Sequence, residues 1–153
     1  MEYSRFELKQ ECDYHMEAEK QMKYYGLFSK KEGFAVPKVI EELSTKHVLT
    51  MEYLEGIDMN TCRDELPQEL RDSIGARILD LTIREIFQAK FMQTDPNPAN
   101  FFYNVDKDEV NLLDFGAARG YSDDFVHHYL KTVYGASEND SAMVLKATTH
   151  LGF

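Results

Sequence analysis

Three side chains in this sequence are suited by type and spacing to chemistry on a phosphate: Asp95, Asn100 and Asp114. They stand in Thr94-Asp95-Pro96-Asn97-Pro98-Ala99-Asn100 and in Leu112-Leu113-Asp114-Phe115-Gly116. An Asp, an Asn five positions on, and an Asp-Phe-Gly fourteen positions beyond it is the spacing of metal-assisted phosphoryl transfer. The first carboxylate would accept or orient the proton of an attacking hydroxyl or water. The Asn oxygen and the second carboxylate would hold Mg2+, a hard cation that takes oxygen ligands and phosphates. Between them, Phe101-Phe102-Tyr103-Asn104 and Val110-Asn111-Leu112-Leu113 read as two short strands joined by a polar turn at Asp106-Lys107-Asp108. Such a hairpin would return Asn100 and Asp114 to each other's side at its open end. An Asp-x4-Asn pair alone is common in loops; the hairpin and Asp-Phe-Gly give it weight against a solvated acidic hairpin.

The whole chain sets bounds on this chemistry. At 153 residues it is one domain by length, able to bury about 70% of the surface it exposes when unfolded. Its 43% apolar and 12% aromatic content argues for a packed chain over a disordered one. A net charge of -10 offers no footprint for nucleic acid and no attraction to an anionic membrane surface. A triphosphate could approach such a chain only with a metal. The two cysteines, Cys12 and Cys62, read as reduced thiols. The five histidines show no zinc-ligand spacing with either cysteine and read as surface or core residues. No run reaches the length of a membrane span, and Met1-Glu2-Tyr3-Ser4-Arg5 has the character of neither a signal nor a transit peptide.

Several elements must position the three side chains. Residues from about Phe6 to Leu27 predict a helix, with a loose stripe of Leu8, Cys12, His15 or Met16, Glu19 and Met22. Gly26 to Gly33 reads as a basic turn. Ala35-Val36-Pro37-Lys38-Val39-Ile40 predicts a strand that pairs with the alternating run His47 to Tyr53. Gln68 to Lys90 carries the clearest helical stripe: Leu70, Ile74, Ile78, Leu81 and Glu85, widened by Ile83, Ile86 and Phe87. Pro67 stands just ahead of it. Asp123 to about Tyr134 and Asp140 to about Thr149 are further helices with acidic starts.

A helix, a strand pair, a catalytic loop and Asp-Phe-Gly, in that order, match the order of a protein kinase. On that order, Glu52-Tyr53-Leu54-Glu55-Gly56 falls at the hinge between lobes, where backbone groups such as those of Glu52 and Leu54 would receive adenine. The residues resemble one family more closely. Glu11-Cys12-Asp13-Tyr14 with Glu17-Ala18 looks like the E-x-D helix of the UbiB (ADCK) atypical kinases, which support coenzyme Q biosynthesis. His47-Val48-Leu49-Thr50, Arg84-Glu85-Ile86-Phe87, the run from Phe91 to Asn97, and Leu112 to Ala117 are similar to its mitochondrial branch. The resemblance runs from Leu8 to Gly152 with the motifs in order.

That resemblance implies an α+β, protein-kinase-like fold. Residues 1–56 would end a partial N-lobe, with the Glu17 helix, two or more strands and the hinge; 57–153 would form a mainly helical C-lobe. It implies ATP and Mg2+ as cofactors, Asp95 as the catalytic-loop Asp, and Asn100 and Asp114 as metal ligands. Glu17 would pair with a nucleotide-binding Lys, and Glu11 with Asp13 would meet a family-specific extension over the nucleotide. It further implies mitochondrial location at the matrix face of the inner membrane, with quinone-biosynthesis enzymes and lipid precursors as partners.

Some residues depart from ordinary protein kinases. Gln93-Thr94 replaces His-Arg, Asn97 stands where many carry a Lys, and no Ala-Pro-Glu follows Gly116. Without that Lys, transfer to a protein hydroxyl has less transition-state charge stabilisation. All three departures fit the UbiB family, which resembles protein kinases in fold but is regarded as showing ATPase activity more than protein phosphorylation. Nothing before the Glu17 helix reads as a nucleotide-covering loop or its Lys. The chain is therefore expected to be a fragment of a longer protein, weak or inactive in turnover by itself. Two other functions compete: a pseudokinase-like binding module, and a small-molecule phosphotransferase of the aminoglycoside or choline kinase kind.

Overall fold

The computed structural model describes residues 13–29, 33–95 and 97–153. The chain forms α1 (Tyr14–Phe28), β1 (Phe34–Ala35), β2 (Ile57–Asp58), α2 (Met59–Glu65), α3 (Gln68–Arg84), β3 (Phe91–Gln93), β4 (Phe101–Asn104), β5 (Glu109–Leu112), β6 (Ala118–Gly120), α4 (Asp123–Ser137) and α5 (Ser141–Leu151). A four-stranded sheet runs in the order β1-β5-β4-β2, and β3 pairs with β6. This is the expected mixture of helices and small mixed sheets. Two compact units result: one of residues up to Leu79 with Gln93–Ala118, the other of Asp80–Met92 with Arg119–Phe153. Among the described residues no helix is long and apolar enough to cross a membrane.

In the first unit the hairpin forms as its sequence predicts. β4 and β5 pair antiparallel from Phe101↔Leu112 to Asn104↔Glu109. Residues 105–108 make the turn, with Asp108 in the left-handed region at φ 54°, a conformation that Asp and Asn tolerate better than most residues. Below the turn, Arg77 on α3 donates to the Asp108 carboxylate at 2.8 Å and to its carbonyl at 2.6 Å. The buried Tyr103 hydroxyl donates to the same carboxylate at 2.6 Å.

Arg77 first, then Tyr103, hold the Asp108 carboxyl below its usual range. A depressed folded value means a contribution present above the unfolded pKa of about 3.9 and lost as pH falls through the folded value. Asp108→Asn keeps the shape and the left-handed turn. It is expected to cost about 1 kcal/mol at neutral pH, after discounting charged hydrogen bonds for solvent exposure. Denaturation midpoints taken from pH 7 to pH 3 check this. The gap between the two proteins should close in acid, and a constant gap would refute the account.

α1 differs from its sequence expectation in the face it buries. Ala18, Gln21, Tyr24 and Phe28 are inside, whereas His15, Glu19 and Met22 are exposed; Leu8 and Cys12 lie outside the described residues. Two of the four buried residues are polar because each meets a partner. The Gln21 amide donates to the Pro37 carbonyl at 2.7 Å, and the Tyr24 hydroxyl accepts from the Gln93 N–H.

The expected strand over 35–40 is also corrected. Only Phe34–Ala35 is a strand, and it pairs parallel with β5 (Phe34↔Val110), not with 47–53. Pro37 has no N–H to continue a ladder, and its carbonyl is taken by Gln21. The 47–53 run reaches 38–40 only through the Val39↔Met51 bridge, with Ile40 N–H to Thr50 O and Glu52 N–H to Lys38 O. The Ser44 hydroxyl takes the Thr50 N–H, and the Thr50 hydroxyl donates to Leu43 O, so side chains occupy groups a ladder would use.

α3 begins after Pro67 as expected and extends into a π turn over Glu85–Ala89 that ends at Lys90 in the left-handed region. Ile74, Leu81, Glu85 and Ile86 are buried, while Ile83, expected to widen the stripe, is exposed. In the second unit, α4 and α5 form a helical hairpin through Glu138-Asn139-Asp140. Gly135 lets them approach closely: a Cβ there would lie 3.1 Å from Val144 Cγ2.

Candidate active site

The open end of the hairpin brings the predicted residues together. Leu113 N–H donates to Asn100 O at 3.0 Å, extending the β4–β5 pairing by one step, so that Asn100 and Asp114 leave the ladder side by side. A short 3-10 turn, Pro98–Asn100, aims the Asn100 side chain. It is started by Asn97, whose side chain accepts the Ala99 N–H at 3.0 Å, and tightened by Asn100 N–H to Asn97 O.

Asn100 is buried, and its Nδ2 donates to Asp95 O at 3.3 Å and Asp95 Oδ2 at 3.4 Å. A planar amide that gives its nitrogen to Asp95 leaves Oδ1 as a donor for a cation. Asp95 itself is exposed, and its N–H is held by Gln93 Oε1 at 3.2 Å.

Asp114 is fixed at its backbone and one carboxylate oxygen. Gln93 Nε2 donates to Asp114 O at 2.8 Å, and Gly116 N–H donates to Asp114 Oδ1 at 2.9 Å. Gln93, which stands where ordinary protein kinases carry His, thus ties the Asp95 loop to the Asp-Phe-Gly turn. Thr94 adds a second tie, donating to Ala117 O at 2.8 Å. Phe115 is buried against Tyr24 of α1, ring centroids 5.0 Å apart.

Glu17 comes to the same place from α1. Burial first, then repulsion from Asp114, push its carboxyl above the usual range, against the Phe115 N–H and Lys20, which favour the ionised form. The site therefore holds an excess of negative charge, which a cation would neutralise. Sequence reading left Glu17 with no cation; the structure supplies Lys20, one turn on, with its ammonium donated to Gly116 O. The donor pair (Asn100 amide oxygen and Asp114 carboxylate), with Asp95 beside it but outside it, fits a hard cation such as Mg2+ carried with phosphates.

The remaining predicted residues are placed as follows. Asp13 caps α1, accepting the His15 N–H at 3.2 Å, and pairs with Lys46 at 3.7 Å; Glu11 lies outside the described residues. Glu52 brackets Lys38, giving it its N–H at 2.8 Å and accepting the Lys38 N–H on Oε2 at 3.3 Å. Leu54 is half-buried in the extended run that follows.

Sequence reasoning missed what anchors that run. The side-chain amides of Asn104 and Asn111, both buried, donate to Glu55 O at 3.0 and 2.9 Å. Gly56 passes so close to the hairpin that a Cβ would lie 3.1 Å from both Tyr103 O and Asn111 Nδ2. The signal was available: two Asn in otherwise apolar strands are expensive to bury without partners.

Comparison with known proteins identifies the family of the chain. Residues 1–148 match the family model described as the ABC1 atypical kinase-like domain. The chain is 44% identical over its whole length to "Atypical kinase COQ8B, mitochondrial" of Danio rerio, covering 24% of that protein. It is 37% identical over 98% of its length to "Atypical kinase COQ8, mitochondrial" of Saccharomyces cerevisiae, covering 30% of it. The chain thus spans about a quarter to a third of the length of these relatives. Among solved structures, the erythromycin complex of Rv3197 from Mycobacterium tuberculosis superposes with a TM-score of 0.74 at 27% identity. That match covers 90% of this chain and 34% of the other.

Proposed function

This chain belongs to the ABC1 atypical kinase-like family, the UbiB family, and from that we propose that it carries the Mg2+- and ATP-binding centre of an atypical kinase or ATPase. The proposal extends to the process its relatives' names point toward: support of coenzyme Q (ubiquinone) biosynthesis in the mitochondrion, at the matrix face of the inner membrane. Quinone-biosynthesis enzymes and lipid precursors are the partners this implies. The observation that carries the reading is the convergence of Asn100, Asp114 and Asp95 at one end of one hairpin.

In this reading Asn100 Oδ1 and Asp114 hold the metal, and the metal supplies charge neutralisation for the phosphates when it is bound. Asp95, exposed and braced by Asn100 Nδ2, faces the attacking hydroxyl or water and takes or orients its proton. Gln93 and Thr94 keep the Asp95 loop and the Asp-Phe-Gly turn at fixed separation, so that proton acceptor and metal ligands form one rigid constellation. Glu17, with Lys20 one turn on, stands behind Asp114 and adds to the charge around the metal site. Backbone groups at Glu52 and Leu54 receive adenine; Glu11 and Asp13 meet the element that covers it.

ATP titration with and without Mg2+ tests the proposal. The chain should bind ATP at least tenfold more tightly with Mg2+. Asp95→Asn should bind within about threefold of the parent, because Asp95 is outside the metal's ligand set, while losing about 100-fold or more of any turnover, as expected for a general base. Binding indifferent to Mg2+ would refute the proposed centre. Turnover by the parent that Asp95→Asn abolishes would set the binding-module reading aside.

A further inference from the structure

The second unit contains a cluster that the phosphoryl-transfer site does not use. Asp124 and His128 stand one turn apart on α4, and His150 reaches them from α5. His150 Nε2 lies 3.0 Å from Asp124 Oδ2, and His128 Nδ1 lies 3.4 Å from Asp124 Oδ1 and 3.0 Å from Asp124 O. The two imidazoles stack, centroids 3.7 Å apart at 19°, and His127 meets His128 edge-on at 5.1 Å. Three ligand atoms, one from each residue, fall within 4.8 Å of one another.

We infer that Asp124, His128 and His150 form a binding site for a borderline divalent cation of the Zn2+ type, which clips α4 to α5. Ligands on tetrahedral zinc, each at about 2.0–2.1 Å, stand roughly 3.3 Å apart. His150 Nε2 to Asp124 Oδ2 at 3.0 Å and His128 Nδ1 to Asp124 Oδ1 at 3.4 Å lie near that value, each on its own carboxylate oxygen. Two imidazole nitrogens and one carboxylate oxygen favour Zn2+ over Mg2+, which prefers an all-oxygen shell.

The i, i+4 spacing sets the Asp124 and His128 side chains on one face of α4. The close packing of the hairpin at Gly135 fixes the distance from there to α5. Binding requires the ring planes to open from their stack, and His128 Nδ1 to turn its lone pair to the metal in place of its bond to Asp124 O. His150, with half of its side chain exposed, turns by giving up its stack on His128. Beside the cluster, a cavity of about 400 Å3 is lined by His128, His150, Lys131 and Lys146. It leaves room for a water or small anion as fourth ligand.

The histidine spacing against cysteine gave no hint of this site because its third ligand is a carboxylate and its halves come from two helices.

Co2+ titration followed by visible absorption, with Zn2+ competition and thermal melts, tests the inference on the intact chain. One equivalent of Co2+ should develop the intense ligand-field band of a tetrahedral site. Zn2+ should displace it and raise the melting temperature in proportion to the logarithm of free metal. His150→Gln and Asp124→Asn should each weaken binding at least tenfold, and both positions are exposed enough to leave folding intact. His47→Gln, on an exposed turn of the other unit, should bind as the parent does. Octahedral, weakly coloured Co2+ in the parent, or either ligand variant binding with parental affinity, would overturn the site.

Discussion

Asp114→Asn is expected to lose Mg2+-dependent ATP binding by more than about 100-fold. The neighbours of a metal ligand alone are worth about 10–100-fold in affinity, and Asp114 is the charged ligand of the proposed pair. The substitution keeps the shape and an oxygen able to accept the Gly116 N–H at 2.9 Å, so the Asp-Phe-Gly turn should survive. It also removes a charge that adds to burial in pushing the Glu17 carboxyl up. The variant should therefore be at least as stable as the parent without nucleotide, while failing to bind it. Equal melting temperatures with lost binding place the effect at the metal; retained Mg2+-dependent binding would take Asp114 out of the ligand set.

Phe115→Ala is expected to produce the largest loss of stability, about 3–5 kcal/mol by analogy with buried Phe truncations. Phe115 is 1% exposed and packs on Tyr24, which in turn packs on Phe28 at 5.4 Å. Removing the ring opens a cavity between α1 and the Asp-Phe-Gly turn, within the same unit that carries Asp95 and Asn100. For a chain of this size the loss corresponds to a drop in melting temperature of about 6–20 °C. Urea midpoints at unchanged slope would measure it. A loss under about 1 kcal/mol would mean that the α1 contact is not part of the cooperative core.

These two residues were legible in the sequence because Asp-Phe-Gly is a local pattern with a local hairpin before it. The turn, the alternation of β4 and β5, and the stripe of α3 all follow from neighbours in the chain, so the position of Asn100 beside Asp114 could be read directly. What could not be read depends on partners far along the chain. The buried face of α1 is set by Gln21 and Tyr24, polar residues whose partners are 16 and 69 positions away.

The strand expected over 35–40 fails for a similar reason: Pro37 and Gln21 settle where its hydrogen bonds go. α2, residues Met59–Glu65, was not anticipated at all; its start rests on the Asp58 side chain accepting from Asn60 and Thr61. The Asp124–His128–His150 cluster is likewise a product of tertiary contact, and so is the identity of the partner, Glu55, that the two strand asparagines Asn104 and Asn111 signalled a need for.

The central claim is that Asn100 and Asp114 share one metal, brought with ATP. Mn2+ takes the same oxygen ligands as Mg2+ and broadens nearby NMR signals through its unpaired electrons, so the most direct measurement is the amide spectrum of the 153-residue chain titrated with substoichiometric Mn2+ and ATP. The account predicts that the Asn100 side-chain amide and the backbone amides of Asp114, Phe115 and Gly116 broaden first, that broadening requires ATP, and that excess Mg2+ reverses it. Broadening that spares these signals and spreads over the acidic surface, or appears equally without ATP, would contradict it.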